Sequence, residues 1–240
     1  MGKRIIITGA TGLIGKRIVP ILTDKGYEIT IFTRNIDSVK TKFSNISLNY
    51  IKWDYTKPID SIIEYINGCE IIINLAGASI GDRRWNEKYK KIIYGSRILT
   101  TKKIVEAISK CKDKPNTLIS SSAIGFYGTT GEEIQTEKSP GSNDFMAKLC
   151  SDWENEAIKA EEYGIRVTTT RTGIVLDKNK GALERFLTPF KLFSGGYQGT
   201  GRQWISWIHI DDLINLFLFS IENDKINGAL NCTTQFPVTN

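Results

Sequence analysis

The chain has 240 residues, of which 40% are hydrophobic and 24% are charged, and its formal net charge is +6. Four cysteines without a Cys-x-x-Cys pair and a single histidine argue against a transition-metal site and favour a reducing compartment. No apolar run approaches the ~20 residues that span a bilayer, and a strand-like run begins almost at once, so we expect a cytoplasmic protein without membrane contact.

The positive charge is unevenly distributed along the chain. Residues 83–114 carry eleven Lys or Arg against three Asp or Glu, and residues 115–164 carry nine Asp or Glu against three Lys or Arg. The two segments can compensate each other across a folded surface, and the basic one lacks the interleaved aromatics that stack on bases. We therefore expect no nucleic-acid partner.

Short β-rich runs alternate with helical ones. In chain order they are "RIIIT", a helix from about Thr11, "EITIFT", a short connector, "LNYIKW", a short helix, "EIIINLAG", a helix from about Asn86 to Lys110, "NTLISSS", a helix from Asn143 to Glu154, and "IRVTTTRTGIV". Near-continuous apolar runs are typical of parallel strands that are buried on both faces. The pattern predicts an α/β fold, a Rossmann-type doubly wound parallel sheet over residues 1–172.

The composition changes after residue 172. Residues 173–240 hold a Gly-rich loop "GGYQGTGRQ", an aromatic strand "WISWIHI" and a helix "DDLINLFLFSI", for which Asp211 is the expected cap. We expect a small, partial C-terminal lobe that binds substrate. The last residues, "FPVTN", resemble the start of a further helix, so the lobe looks truncated.

The run "ITGATGLIG" places Gly9, Gly12 and Gly15 between the first strand and the first helix. Gly9 permits the tight turn, Gly12 lets a pyrophosphate approach backbone N–H groups, and Gly15 lets the helix pack closely on the sheet. Further loop contacts are expected from Thr11, Leu13 and Ile14. The alternative is a glycine-rich turn that binds no ligand.

The end of the second strand indicates which dinucleotide binds. NAD-binding proteins usually keep Asp or Glu there to bind the ribose 2′-hydroxyl. This strand ends in "IFTRN", so Thr33 and Arg34 stand there instead, and Arg can bind a 2′-phosphate bidentately. We predict NADP(H), with NAD disfavoured. Alternatively, Arg34 is an ordinary exposed loop residue and Asp37 is the acidic partner of NAD.

The order of "TGATGLIG", "WDYT", "NLAG", "SSSAIGFYG" and "WIHIDDL" resembles the extended short-chain dehydrogenase/reductase superfamily over nearly the whole chain. Within it, "RRWNEKYKKIIYGSR", "GTGRQWISWIHIDDL" and "PVTN" are similar to an atypical branch, the epimerase family proteins, some of which are labelled cell-division inhibitors. The resemblance implies an oxidoreductase or nucleotide-sugar epimerase that acts on a small carbonyl or sugar-like substrate, and it implies a homodimer.

The resemblance also implies cofactor contacts outside the glycine loop. Asp54 matches the acid that contacts the adenine ring, and Leu75 and Ala76 match backbone that lines the ribose. Arg97 matches a cofactor-contacting position of the branch, and Ile174 follows the sixth strand where the nicotinamide amide rests. Plain alternatives exist: Asp54 caps the next turn, "NLAG" merely ends a strand, and Arg97 pairs with the acidic segment.

The catalytic residues that the superfamily uses are only partly present. Its active members carry Ser or Thr after the fifth strand and Tyr-x-x-x-Lys on the next helix. Ser122 fits the first position, but Met146 and Cys150 stand at the other two. A thioether has no proton to give, and a thiol on an apolar helix face has a raised pKa, so Cys150 is expected to be a small buried hydrophobe.

Two hydroxyl groups remain as catalytic candidates, Ser122 and Tyr127 of "GFYG". Tyr127 is the best remaining acid, and its alternative is a structural hydroxyl that satisfies the loop backbone. His209 stands beside a helix start and is expected to be structural rather than catalytic. A chain that keeps the cofactor loop and loses the acid also fits a second hypothesis, a non-catalytic NADPH-sensing interaction protein.

Overall fold

The computed structural model describes residues 2–81, 83–178, 180–197 and 199–240. The first half alternates strands and helices: β1 (Arg4–Thr8), α1 (Leu13–Asp24), β2 (Glu28–Thr33), α2 (Ile36–Lys42), β3 (Asn49–Lys52), α3 (Asp60–Ile66), β4 (Ile71–Asn74) and α4 (Glu87–Lys110). The second half holds β5 (Thr117–Ala123), α5 (Phe145–Ile158), β6 (Arg166–Thr172), β7 (Ile174–Asp177), β8 (Lys180–Gly181), α6 (Ala182–Lys191), β9 (Trp204–Ile205), β10 (Trp207–His209), α7 (Ile210–Glu222), β11 (Gly228–Cys232) and β12 (Val238–Thr239). Short 3-10 turns follow β5 and α5, over Ile124–Tyr127 and Lys159–Tyr163.

Seven strands form the central sheet in the order β11-β6-β5-β4-β1-β2-β3, and all neighbouring strands are parallel. The chain order reverses at β1, because β2 and β3 lie on one side of it and β4, β5 and β6 lie on the other. In a doubly wound sheet, ligands bind outside the carboxyl ends of the strands at such a reversal. The predicted Rossmann-type sheet is confirmed.

The central strands are buried on both faces. In β1, Ile5 and Ile7 belong to one hydrophobic core and Ile6 belongs to the other, because side chains alternate across a strand. Helices α1 and α7 cover the first core, and α3 and α4 cover the second. Two covered faces explain why apolar residues follow one another without a break in these strands.

The long helix predicted from about Asn86 is confirmed as α4. The Asn86 side chain caps it by accepting a hydrogen bond from the Tyr89 backbone N–H at 2.8 Å. Ile104, Val105 and Ile108 face the core beneath the sheet, as their spacing predicts.

Helix α2 replaces the short connector that was expected after β2. The Asn35 side chain starts this helix by accepting a hydrogen bond from the Ser38 N–H at 3.0 Å. The helix is only two turns long and buries Val39 alone. Its periodicity is therefore too weak to be recognised in the sequence.

The run "IRVTTTRTGIV" is two strands rather than one. Strand β6 lies in the central sheet, whereas β7 pairs with β10 in a small three-stranded sheet. The chain leaves the central sheet at Gly173, where a β-carbon would lie 2.7 Å from the Ser206 carbonyl oxygen. The predicted strand "WISWIHI" is divided in the same way into β9 and β10, which belong to different sheets.

The last elements return to the central sheet. The sequence pattern does not indicate β11, which pairs with β6. Leu213, Ile214 and Phe217 of α7 pack in the same core as β1. The division of the chain at residues 172 and 173 stays a prediction, and by their packing α7 and β11 join the part that precedes it.

The expected cap of α7 was wrong. The His209 side chain is the cap, since its Nδ1 accepts a hydrogen bond from the Asp211 N–H at 3.3 Å. The Asp211 carboxylate instead binds the Arg17 guanidinium on α1. His209 therefore has the structural role that its position predicted.

The helices within the described ranges are each too short or too polar to cross a membrane. Within the same ranges, no three His, Cys, Asp or Glu side chains gather into a group that could hold a metal ion.

Candidate functional site

A cleft of about 400 Å³ opens at the carboxyl ends of β1, β2 and β4, where the strand order reverses. It is lined by eight of the predicted cofactor residues: Gly9, Thr11, Gly12, Thr33, Arg34, Asp54, Leu75 and Ala76. Five others do not line it: Leu13, Ile14, Gly15, Arg97 and Ile174. Strand topology thus brings the glycine loop, the end of β2 and the "NLAG" segment together around one space.

The glycine loop has the geometry that a phosphate loop requires. Gly9 has φ of 69°, a conformation that favours glycine, and the Gly12 N–H donates to the Gly9 carbonyl at 2.9 Å. A β-carbon on Gly15 would lie 2.5 Å from Ala10 Cα, so Gly15 lets α1 approach the loop. Gly12 is the N-cap of α1, no side chain caps this end, and a β-carbon on it would lie 3.2 Å from the Gly9 oxygen. The residues present therefore fit a pyrophosphate at the start of α1.

Arg34 lines the cleft directly after β2, the strand that pairs with β1. It is exposed, and within the described residues it makes no hydrogen bond or ion pair. The Thr33 hydroxyl is bound to the Asn35 backbone. Asp37, the alternative acidic partner, lies on α2 and is not among the cleft-lining residues. The Arg34 guanidinium can therefore bind an anionic group of a ligand. Asp54 is the acidic residue that lines the same cleft.

Asp54 follows β3 and lines the cleft, and its contact with the adenine ring stays a prediction. One carboxylate oxygen accepts from the Thr56 N–H at 2.7 Å and from the Thr56 hydroxyl at 2.5 Å, so it caps the next turn. These hydrogen bonds lower the pKa of Asp54. The same residue lines the cleft beside Arg34, so its capping does not remove it from the site.

The segment from Leu75 to Ala78 forms the opposite wall. The Ala76 N–H donates to the Thr8 hydroxyl at 3.2 Å, and the Ala78 N–H donates to the Ser96 hydroxyl at 2.9 Å. Thr8 and Ser96 also line the cleft and were not identified from the sequence. Their only signal is position, since Thr8 ends β1 and Ser96 precedes Arg97 in "GSR".

Arg97 lies behind this wall rather than in the cleft. Its Nη1 donates to the carbonyl oxygens of Ala78 at 3.0 Å and Ile93 at 3.1 Å, and its guanidinium stacks 5.2 Å from the Trp153 ring centroid. Burial lowers the pKa of Arg97. The predicted alternative, a pair with the acidic segment, does not occur within the described residues. Arg97 therefore fixes the wall through Ala78.

Ile174 also lies outside the cleft lining. It begins β7, and its N–H donates to the Ser206 carbonyl at 2.9 Å. Its role near a nicotinamide stays a prediction.

Met146 and Cys150 pack against the 3-10 turn that follows β5. A β-carbon on Gly125 would lie 3.3 Å from Met146 Cβ and 3.8 Å from Cys150 Sγ. Cys150 is only 1% exposed, and burial raises the pKa of its thiol to about 11. The prediction that Cys150 is a small buried hydrophobe is confirmed, and a buried thiol with a raised pKa is a poor nucleophile at neutral pH.

A buried ion pair occupies the space beneath the end of β5. Glu154 and Arg171 make two hydrogen bonds, of 2.9 and 2.8 Å, and the Ser122 hydroxyl donates to the same Glu154 carboxylate at 2.5 Å. All three residues are 5% exposed. The sequence signal for the pair is the arginine within "TTTRT", because a charge in a strand buried on both faces requires a partner.

Tyr127 belongs to the same network. Its hydroxyl accepts from Arg171 Nη1 at 2.9 Å and donates to the Asn231 side-chain oxygen at 2.6 Å. The Arg171 guanidinium also stacks 3.5 Å from the Phe126 ring centroid. The two catalytic candidates, Ser122 and Tyr127, are thus joined through Glu154 and Arg171.

Comparison with known proteins agrees with this geometry. The family model of the NAD dependent epimerase/dehydratase family matches residues 5–232. Epimerase family protein YfhF of Bacillus subtilis is 39% identical over 237 residues, which are 98% of this chain and 75% of that protein. The chloroplastic SDR39U1 homolog of Arabidopsis thaliana, also an epimerase family protein, is 37% identical over 236 residues, which are 98% of this chain and 67% of that protein.

Solved structures give the same result. Human epimerase family protein SDR39U1, crystallised with NADPH, matches with a TM-score of 0.82 at 30% identity over 98% of this chain and 76% of that one. UDP-glucuronic acid 4-epimerase of Bacillus cereus matches with a TM-score of 0.81 at 18% identity, which shows a common fold alone. The chain belongs to the NAD dependent epimerase/dehydratase family.

Proposed function

We propose that this protein binds NADP(H) in the cleft and uses it for hydride transfer on a small carbonyl or sugar-like substrate. The observation that carries the proposal is Arg34, an exposed cation at the end of β2 where an NAD-binding site would hold an acid. The crystal structure of the human relative with NADPH supports the same choice of cofactor.

Each part of the cleft has a role in this proposal. The start of α1 at Gly12 receives the pyrophosphate, and Arg34 receives the 2′-phosphate. Asp54 lies at the adenine, and the Leu75–Ala78 wall lies along the ribose. Further predicted loop contacts come from Thr11, Leu13, Ile14 and Thr33. The bound cofactor supplies or accepts the hydride, so the protein must add a proton donor and a binding surface for the substrate.

Ser122 and Tyr127 are the proton donors that we propose. Glu154 and Arg171 hold both hydroxyls at fixed positions, and the Arg171 charge lies 2.9 Å from the tyrosine oxygen. In this arrangement the Ser122 proton is directed at Glu154 and the Tyr127 proton at Asn231. A substrate oxygen would therefore have to compete with one of these internal acceptors, which predicts slow turnover.

The experiment is a screen for NADPH oxidation with a panel of aldehydes, ketones and keto-sugars, preceded by a binding titration that follows nicotinamide fluorescence. Saturable, substrate-dependent NADPH oxidation supports the proposed enzyme. Tight NADPH binding with no turnover on any member of the panel would favour the non-catalytic NADPH-sensing protein instead. The homodimer implied by the family resemblance stays a prediction and can be measured in the same samples by light scattering.

A further inference from the structure

Helix α2 presents to the cleft a hydroxyl that the proposed function does not use. Asn35, Ser38 and Val39 line the cleft, whereas Asp37 does not. Residues that are three or four positions apart share one side of a helix, so α2 turns the side that carries Ser38 toward the cleft. Ser38 is half-buried there and follows Arg34, which also lines the cleft, by four positions.

The polar groups around Ser38 are already engaged in the fold. The Asn35 side-chain oxygen accepts from the Ser38 backbone N–H at 3.0 Å, and the Thr33 hydroxyl is bound to the Asn35 backbone. Val39 is apolar and buried. The Ser38 hydroxyl makes no hydrogen bond with any residue that the structure describes, so it remains as a donor for a molecule in the cleft.

The position of Ser38 in the helix explains why its hydroxyl is unused. A Ser or Thr inside a helix commonly donates to the carbonyl four residues earlier, as Thr41 of the same helix does to the Asp37 carbonyl at 2.9 Å. Ser38 is the third residue of α2, and the carbonyl four positions before it belongs to Arg34, outside the helix. The bond that occupies the Thr41 hydroxyl is therefore not formed by Ser38.

A 2′-phosphate has more acceptors than one arginine can satisfy. It carries about two negative charges and three strong acceptor oxygens. A guanidinium binds two oxygens through parallel N–H donors, which leaves a third oxygen for another group. A free hydroxyl close to Arg34 in the chain and on the wall of the same cleft is a suitable donor for that oxygen.

We propose that Ser38 is a second residue that determines the specificity for NADP(H), and that its hydroxyl donates to the 2′-phosphate oxygen that Arg34 leaves free. This inference rests on the proposed NADP(H) function. NADH has a ribose hydroxyl in place of this phosphate and lacks the oxygen in question. The contact with Ser38 therefore stabilises bound NADPH and leaves NADH unaffected.

Two ligands and three variants test this role. Ser38→Ala removes the hydroxyl, and Ser38→Asp places a carboxylate where the phosphate would bind. An acidic residue is well tolerated in the first turn of a helix, so Ser38→Asp should keep α2 folded. Thr41→Ala is the matched control, because its hydroxyl lies on the same helix, is already bound to Asp37 and does not line the cleft. Circular dichroism of each variant checks folding.

The dissociation constants of NADPH and NADH are measured by nicotinamide fluorescence. We expect Ser38→Ala to weaken NADPH about tenfold, the lower part of the range for a hydrogen bond to a charged group, because the cleft is open to solvent. Ser38→Asp should weaken NADPH further, because the two anions repel each other. Neither variant should weaken NADH, and Thr41→Ala should change neither constant.

Unchanged NADPH affinity in Ser38→Ala, or equal losses for NADPH and NADH, would overturn the inference. So would a loss in Thr41→Ala as large as that in Ser38→Ala. In each case the proposed function stands if Arg34→Ala, measured in the same series, loses its preference for NADPH. Failure of the unmodified protein to prefer NADPH would overturn both together.

Discussion

Glu154 and Arg171 bind each other through two hydrogen bonds of 2.9 and 2.8 Å in a region from which solvent is excluded. The pair joins α5 to β6, and Glu154 lies about one helical turn beyond Cys150 on α5. Hydrogen bonds to Glu154 and Tyr127 raise the pKa of Arg171 despite the opposing effect of burial, so the guanidinium remains charged.

Glu154→Gln should destabilise the fold. The substitution leaves Arg171 buried without a counter-charge, which typically costs about 3–5 kcal/mol in the free energy of unfolding. Urea denaturation measures this loss. The control is Glu222→Gln, which breaks the exposed pair with Lys25 and should cost far less, because solvent screens that pair. Equal small losses in the two variants would show that the buried pair does not stabilise the fold.

Tyr127→Phe tests the proposed proton donor. If Tyr127 donates the proton, turnover should fall about 10²–10⁴-fold while NADPH affinity is unchanged. The variant should also lose roughly 1–3 kcal/mol of stability, because Arg171 and Asn231 both lose a buried hydrogen-bond partner. A loss of stability with unaltered turnover would show that Tyr127 has a structural role only.

Cys150→Ser should leave turnover within a few-fold of the unmodified protein, because a thiol with a pKa of about 11 carries almost no thiolate at neutral pH. The raised pKa also has a consequence for stability. The stabilisation that comes from burying the neutral Cys150 thiol is fully present below the ordinary thiol pKa of 9.0. It is lost as pH rises toward 11, because the thiol of the unfolded chain ionises at a lower pH than the buried one. Loss of turnover by several orders of magnitude in Cys150→Ser would contradict the packing role.

Gly12→Val should abolish NADPH binding without unfolding the protein. A branched side chain would occupy the space that the pyrophosphate needs, and its β-carbon would already lie 3.2 Å from the Gly9 carbonyl oxygen. Gly196→Val is the control, since a β-carbon on Gly196 meets nothing within 4 Å. A folded Gly12→Val protein that takes up NADPH normally would show that the pyrophosphate binds elsewhere.

The sequence predicted the phosphate loop and the central sheet because both depend on local patterns. Gly9, Gly12 and Gly15 are fixed by backbone geometry, and the apolar runs follow from burial on two faces. Strand β11 could not be found in this way, because "GALNC" lacks the β-branched and aromatic residues typical of strands and only its pairing with β6 makes it a strand.

The buried network was missed for a related reason. Glu154 stands in a predicted helix and Arg171 in the predicted strand "IRVTTTRTGIV", and neither pattern pairs the two residues. Glu154 and Arg171 lie on different elements and are 17 positions apart in the sequence. Tyr127 and Asn231, which are also hydrogen-bonded, are 104 positions apart. Hydrophobic periodicity in the sequence cannot indicate such pairs. An arginine in a fully buried strand is the one local sign that a partner must exist.

The central claim, that this cleft selects NADP(H) through Arg34, is tested most directly by the ratio of the dissociation constants of NADH and NADPH in the unmodified protein and in Arg34→Ala. The account predicts tighter binding of NADPH in the unmodified protein. In Arg34→Ala it predicts a loss of about 1.5–3 kcal/mol for NADPH and almost none for NADH. Lys40→Ala, an exposed cation on α2 outside the cleft, should change neither value. Equal affinities for the two cofactors in the unmodified protein would contradict the claim.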